Sequence, residues 1–190
     1  MPTDHSQCWA IAFLAGALLA GPLPTEAPPT GTGRVIAGQA DDPRAAAWPR
    51  VQVEDPYTRD AATGALDGAV KWLAGAKCQQ VFTEFADAKG VTLGNRLREF
   101  ETTPARYLRM IFFFDGSQHA TCRRDGILAF TAVGSRSVYV CGRDFERAWK
   151  KNPREVQATI IHEMLHSLGL GENPPSARDI NNRVQKLCWQ

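Results

Sequence analysis

The chain has 190 residues, which is enough for one domain with its own hydrophobic core. Its content of 44% hydrophobic and 22% charged residues is that of an ordinary globular protein and excludes a low-complexity or strongly charged chain. A formal net charge of +2 is too small to indicate a nucleic-acid partner, and we expect none.

The amino-terminal segment has the character of a targeting sequence. An apolar run from Cys8 to Ala20 is long enough for the core of a signal peptide and too short to span a bilayer. No Lys or Arg precedes this run, and the alternatives are a buried helix or a misplaced start codon. We expect a signal peptide over residues 1–21, a secreted or periplasmic location, and no membrane span in the mature chain.

The next stretch, residues 22–56, is rich in Pro, Gly, Ala and Thr and shows no sustained periodicity. Such a composition is typical of a flexible linker or arm, with a short strand possible at its end over Val51–Val53. We therefore expect a single compact domain over residues 57–190.

The first part of that domain has helical periodicity. Apolar residues between Ala65 and about Lys89 predict two short helices, which end near Gly75 and Gly90. Further short helices are expected over Leu93–Phe100 and from Thr103 to Leu108.

The middle of the domain changes to strand-like patterns. Arg109–Phe114 is followed by a turn dipeptide, and Gln118–Cys122 is a candidate for a short strand. Ile127–Ala132 and Ser137–Cys141 are spaced as a hairpin. These patterns predict an α+β fold with a small antiparallel sheet of three or four strands.

The last third is predicted to be helical. Asn152 and Pro153 form a start signal for a helix that runs to Leu168, where Gly169 supplies a left-handed stop. Apolar residues cover about half of its circumference, so we expect it to be largely buried. A final helix is expected from Ser176 to near Cys188.

The helix that starts at Pro153 contains an H-E-x-x-H motif formed by His162, Glu163 and His166. Residues four apart lie on one helix face, so the two imidazoles can bind one metal ion while Glu163 reaches a water in an open coordination position. The alternative is a pair of core histidines beside a solvated glutamate. The remaining histidines, His5 and His119, need no metal.

The longer pattern H-E-x-x-H-x-x-G-x-x-E ends at Glu172 and resembles the zincin metallopeptidases, in particular the extended metzincin motif. Glu172 stands where metzincins usually have His, and no Met-turn is visible in the sequence. The resemblance implies a zincin-like active-site helix near the carboxyl terminus, with Zn2+ held by His162, His166 and a third residue.

Two residues compete to be the third ligand. Asp179 would come from the following helix, but the spacing to Ser176 also gives it a role in a capping box. Glu172 has less structural reason for its place, because the helix dipole disfavours a carboxylate just past a helix carboxyl terminus. We therefore favour Glu172 and keep Asp179 as the alternative.

Removal of the signal peptide would leave four cysteines, and an even count in a small exported protein favours two disulfides. Three pairings are possible, of which we prefer Cys78 with Cys188 and Cys122 with Cys141. The second pair poses a geometric problem: on strands separated by a third strand, the two Cα atoms would lie about 10 Å apart, beyond disulfide reach.

These expectations lead to an exported zinc-dependent metallopeptidase or related amide hydrolase that acts on a peptide or protein. Glu163 would activate the zinc-bound water, and Tyr139, His119 and Arg178 are candidates by residue type for a donor to the oxyanion. The resemblance also implies that Ser137–Cys141 or its neighbouring strand pairs with substrate. The alternative function is a non-catalytic exported domain in which the H-E-x-x-H helix has a structural or binding role.

Overall fold

A computed structural model of the chain describes residues 50–189. The predicted signal peptide and the arm up to residue 49 lie outside the described residues. The fold is α+β, as expected. In chain order its elements are β1 (Val51–Gln52), α1 (Pro56–Leu73), α2 (Ala76–Gln79), α3 (Val81–Glu84), α4 (Leu93–Glu99), α5 (Pro104–Leu108), β2 (Phe112–Asp115), β3 (Ala129–Thr131), β4 (Ser137–Val140), α6 (Gly142–Lys151), α7 (Pro153–Ser167) and α8 (Ala177–Cys188).

The sheet has the strand order β1-β2-β4-β3, and it is mixed. The strands β3 and β4 form the expected antiparallel hairpin, whereas β2 runs parallel to both of its neighbours. The prediction of an all-antiparallel sheet is therefore wrong in its strand directions. Only the hairpin has a tight turn; the other pairs are joined by long connections, which allow parallel pairing.

The helix α1 is longer than predicted and begins at the end of the predicted arm. Its first turn is capped by Asp55, whose side chain accepts the Thr58 N–H at 2.7 Å, and Pro56 fits the first helical position. The buried face of α1 consists mostly of alanines, which give a weak hydrophobic signal in the sequence. Because β1 pairs with β2, the folded domain begins before residue 57.

The helix α7 lies in the core and packs against α1, α6, α8 and β3. The helix α1 approaches its neighbours closely at two glycines: a Cβ added to Gly64 would lie 2.7 Å from the Trp149 ring of α6, and one on Gly68 would collide with Gln157 of α7. The predicted stop is confirmed, since Gly169 has a φ of +110°. The prediction for Asn152 was only half right, because it precedes the helix without a side-chain cap bond.

Both predicted disulfides are present, Cys78–Cys188 and Cys122–Cys141. The predicted strand at Gln118–Cys122 is wrong, because Ala120–Arg123 forms a 3-10 helix whose first turn is capped by the His119 ring. This turn resolves the geometric problem of the second pair, whose Cα atoms lie 5.1 Å apart. Two disulfides suggest an oxidising, extracellular compartment. Within residues 50–189, none of the helices has both the length and the apolar character needed to cross a bilayer.

Candidate metal centre

The two histidines of α7 meet inside the protein. Their Nε2 atoms lie 2.8 Å apart, and the residues are only 7% and 6% exposed for His162 and His166, respectively. On the far side of each ring, Nδ1 has an oxygen partner: the Leu170 carbonyl lies 2.7 Å from His166, and Asn181 Oδ1 lies 2.9 Å from His162.

These partners determine which nitrogen of each ring carries the proton. An oxygen that only accepts requires Nδ1 to donate, so Nε2 of each neutral imidazole is left with a free lone pair. Burial lowers the pKa of His162, and the nearby His166 lowers it further, so the neutral form is favoured. Two lone pairs facing each other repel, and a cation between them would relieve that repulsion.

The third member of the group is Glu172. Its Oε1 lies 3.3 Å from Nε2 of His162 and 3.4 Å from Nε2 of His166, and its side chain is 38% exposed. The positive φ of Gly169 turns the chain back at the end of α7, and the buried side chain of Leu170 anchors the returning segment. The residues His162, His166 and Glu172 together could hold a metal ion.

The alternative ligand, Asp179, is engaged elsewhere. It forms the predicted capping box of α8, in which its Oδ2 accepts the Ser176 backbone N–H at 3.3 Å and its own N–H donates to Ser176 Oγ at 3.2 Å. Among residues 50–189, the structure therefore brings Glu172 to the two imidazoles and not Asp179.

Glu163 is a buried carboxyl group beside this cluster. It is 5% exposed, and its Oε2 has no hydrogen-bond partner. Burial raises the pKa of Glu163 to about 8, with a further contribution from the negative charge of Glu172. The backbone amide of Thr131 opposes this rise.

The three members of the group and Glu163 line a cleft of about 350 Å³, which lies between two walls. One wall is β3 with the loop that precedes it, and the other consists of α7 and α8. Because β3 is at the edge of the sheet, one side of its backbone faces this cleft. At the end distant from the imidazoles, the cleft is lined by Glu155 and Thr159 of α7 and by Gln185 of α8.

The structure does not place the three candidate oxyanion donors in the cleft. Tyr139 and His119 pack against the Phe130 ring, with centroids 5.2 and 4.6 Å away, and neither lines the cleft. Arg178 is also absent from the lining, although Ala177 beside it is part of it.

Three contributors to the site were missed by sequence reasoning: Asn181, the Leu170 carbonyl and the Thr131 amide. The spacing gave no signal for Asn181, because its contact with His162 depends on how α7 and α8 cross. Leu170 was detectable in principle, since a carbonyl just past a Gly stop lies close to the last helical turn.

Comparison with family models, with curated proteins and with solved structures finds no match to this chain. The function of this chain is therefore inferred from the site itself.

The first prediction separates the two carboxylates. Glu172→Ala should weaken binding of Co2+, used as a spectroscopic probe, by more than about 100-fold, because it removes a direct ligand. Asp179→Ala should leave Co2+ binding unchanged and reduce the free energy of unfolding by about 1 kcal/mol through loss of the capping box. Visible absorption and urea denaturation measure the two effects. Loss of Co2+ binding in Asp179→Ala alone would contradict the assignment.

The second prediction concerns the partner of His162. Asn181→Ala should weaken Co2+ binding by about 10- to 100-fold, because the imidazole loses the acceptor that orients it. Asn181→Asp keeps an acceptor and should bind at least as tightly as the wild type. Gln185→Ala is the matched control, since it removes an amide that lines the same cleft one turn further along α8. Equal Co2+ affinities for Asn181→Ala and Gln185→Ala would refute this role.

Proposed function

We propose that this protein is an exported zinc-dependent peptidase or a closely related amide hydrolase. One observation supports this function above the others: two imidazoles and a carboxylate converge in a cleft, beside a buried glutamate with one unpartnered oxygen. A metal site that only stabilises the fold does not need a carboxyl group such as Glu163 beside the ligands.

The donor set fits zinc. Two imidazole nitrogens and one carboxylate oxygen form the ligand set of several catalytic zinc sites, which keep one position open. With bonds of about 2.0–2.1 Å, tetrahedral ligands stand about 3.3 Å apart. The distances of 3.3 and 3.4 Å from Glu172 Oε1 to the two Nε2 atoms match this value, while the 2.8 Å between the nitrogens is shorter.

The residues of the chain have distinct tasks in the proposed reaction. Bound zinc would polarise the scissile carbonyl and acidify a water molecule. A cation bound at the imidazoles would favour the carboxylate form of Glu163, which lines the cleft and can then accept a proton from water and return it to the leaving amine. The Leu170 carbonyl and Asn181 keep the two rings oriented.

The edge strand supports an extended peptide as substrate. The N–H of Cys141 bonds to the carbonyl of Leu128 at 2.8 Å, and Phe130 is opposite Tyr139. In an antiparallel ladder, hydrogen-bonded and non-hydrogen-bonded pairs alternate along the strand. Ala129 lies between two residues of hydrogen-bonded pairs, so its N–H and C=O face away from β4. They are free to pair with a peptide by strand addition. The strand β4 is flanked by β2 and β3, so its neighbour β3 takes the pairing role.

The alternative function, a non-catalytic exported domain, has one observation in its favour. The cluster joins separate parts of the fold, since the Gly134 N–H of the hairpin turn donates to the His166 carbonyl at 2.9 Å and α8 contributes Asn181. A metal ion bound to this cluster would also stabilise the folded domain.

The third prediction distinguishes the two functions. The exported chain should contain one zinc and cleave members of a peptide library. Glu163→Gln should keep the zinc and lose at least about 100-fold in kcat, the range for removal of a general base. Glu155→Gln is the matched control, because it neutralises another carboxylate of α7 that lines the cleft.

Two other results of this experiment would count against the enzyme proposal. A wild-type protein without stoichiometric zinc would overturn the enzyme proposal. Zinc in both proteins with no cleavage by either, across the library, would favour the structural role.

A further inference from the structure

The sheet carries a row of aromatic rings that runs across three strands and ends at the cleft. Phe114 of β2 is paired with Tyr139 of β4, and Tyr139 is paired in turn with Phe130 of β3. The ring centroids lie 5.7 and 5.2 Å apart, which is within the range of attractive aromatic pairs. Of these three residues, Phe130 is on the edge strand and lines the cleft.

The three rings are on the outer face of the sheet. Side chains alternate between the two faces of a strand, and the chain neighbours of the rings point into the core. These buried neighbours are Phe113, Ala129, Val138 and Val140. Phe114 and Phe130 are half-buried, and Tyr139 is 37% exposed. The row therefore lies at the surface, and a further side chain at the edge of β3 can extend it.

His119 does not occupy the position that would extend the row. Its ring centroid lies 4.6 Å from that of Phe130 and 6.4 Å from that of Tyr139. At the end of a straight row it would lie 9.8 Å from Tyr139, because the steps of 4.6 and 5.2 Å would add. His119 is thus beside the contact between Phe130 and Tyr139, and the position beyond Phe130 is at the edge of β3 that faces the cleft.

A peptide added to β3 would place a side chain in that position. The backbone groups of Phe130 are used in its pair with Tyr139, whereas those of Ala129 face the cleft. In antiparallel addition, the peptide residue opposite Phe130 therefore belongs to a non-hydrogen-bonded pair, in which the Cα atoms are only about 4.5 Å apart. Its side chain is on the same face as the Phe130 ring. The two side chains are then in direct contact.

An aromatic side chain fits this position best. Aromatic pairs across neighbouring strands stabilise a sheet, and the rings of Phe130 and Tyr139 differ in orientation by only 16°. A further ring in the same orientation would continue the row, whereas a charged side chain would lose water against an apolar surface. The peptide residues on either side point to the opposite face, so the preference concerns alternate positions of the peptide.

We infer that Phe130 is a specificity-determining residue, which selects an aromatic side chain at the peptide position beside it on β3. This inference rests on the proposed peptidase function for its role in substrate choice. The preference itself is a binding property and can be measured without turnover.

The binding test compares two acetylated peptide amides, Lys-Phe-Thr-Phe-Lys and Lys-Leu-Thr-Leu-Lys, whose apolar residues fall on one face of a strand. Both are titrated by calorimetry into zinc-loaded Glu163→Gln protein, in which cleavage should be suppressed. The phenylalanine peptide should bind at least about threefold more tightly, as expected for an added aromatic contact. Equal affinity for the two peptides would overturn the inference.

Two variants in the same background locate the preference. Phe130→Leu should bring the ratio of the two affinities to about one, because the ring beside the peptide is lost. Phe112→Leu is the matched control, since it removes another half-buried ring, on β2, that does not line the cleft, and the ratio should be unchanged. An unchanged ratio in Phe130→Leu, or its loss in Phe112→Leu, would overturn the inference.

A measurement on the protein with Phe130 intact covers the case in which Phe130→Leu does not fold. Nuclear Overhauser effects should appear between the ring protons of the bound phenylalanine peptide and those of Phe130. Their absence at saturating peptide would count against the contact and overturn the inference.

The kinetic test uses cleavage of a peptide library. For the wild type, Phe, Tyr or Trp should be enriched at one position at a fixed distance from the cleaved bond, with kcat/KM at least about threefold above that of the leucine peptide. Phe130→Leu should remove this enrichment and keep cleavage of the leucine peptides. An equal loss of activity toward both kinds of peptide would indicate a merely structural role and overturn the inference.

The outcomes separate this inference from the proposed function. A wild-type protein that cleaves peptides without an aromatic preference would overturn the inference while leaving the peptidase function in place. A zinc-loaded wild type that cleaves no peptide would refute the peptidase function. The affinity ratio would still decide whether Phe130 selects aromatic side chains in a peptide-binding site.

Discussion

The close approach of the His162 and His166 imidazoles inside the core determines how the surrounding elements are arranged. Burial favours the uncharged form of His162, and the Nδ1 partners of both rings turn their Nε2 atoms toward the same point. A cation bound at this point would be held by both rings. The turn at Gly169, the carbonyl of Leu170 and the crossing of α8 over α7 all serve to maintain the close approach of the two rings.

The segments that stabilise the fold around α7 also position the residues of the site. The chain leaves α7 through Gly169, buries Leu170, whose carbonyl orients the His166 ring, and then presents Glu172 to both imidazoles. The disulfide Cys78–Cys188 fixes the end of α8, the helix that provides Asn181. On the opposite wall, the hairpin contacts α7 through the Gly134 N–H, which donates to the His166 carbonyl. The site is thus assembled by contacts between segments that are distant in sequence.

Local signals predicted what is local in the structure. Pro153 and Gly169 marked the ends of α7, and the spacing of His162 and His166 placed both rings on one face. Strand directions were not predictable, because the pairing of β2 with β1 and β4 depends on how long connections fold back. The alanine-rich face of α1 was too weak in hydrophobicity to mark its beginning. Asn181 and Thr131 lie at the site because α8 and the hairpin pack beside α7. Spacing in the sequence does not indicate how such elements pack together.

We assign His162, His166 and Glu172 as residues that could hold one metal ion. Anomalous diffraction from crystals of the zinc-loaded protein, recorded on both sides of the zinc absorption edge, tests this assignment most directly. We expect a single strong peak between the Nε2 atoms of the two histidines and the carboxylate of Glu172. The absence of a peak there, or a peak with Asp179 in place of Glu172, would contradict it.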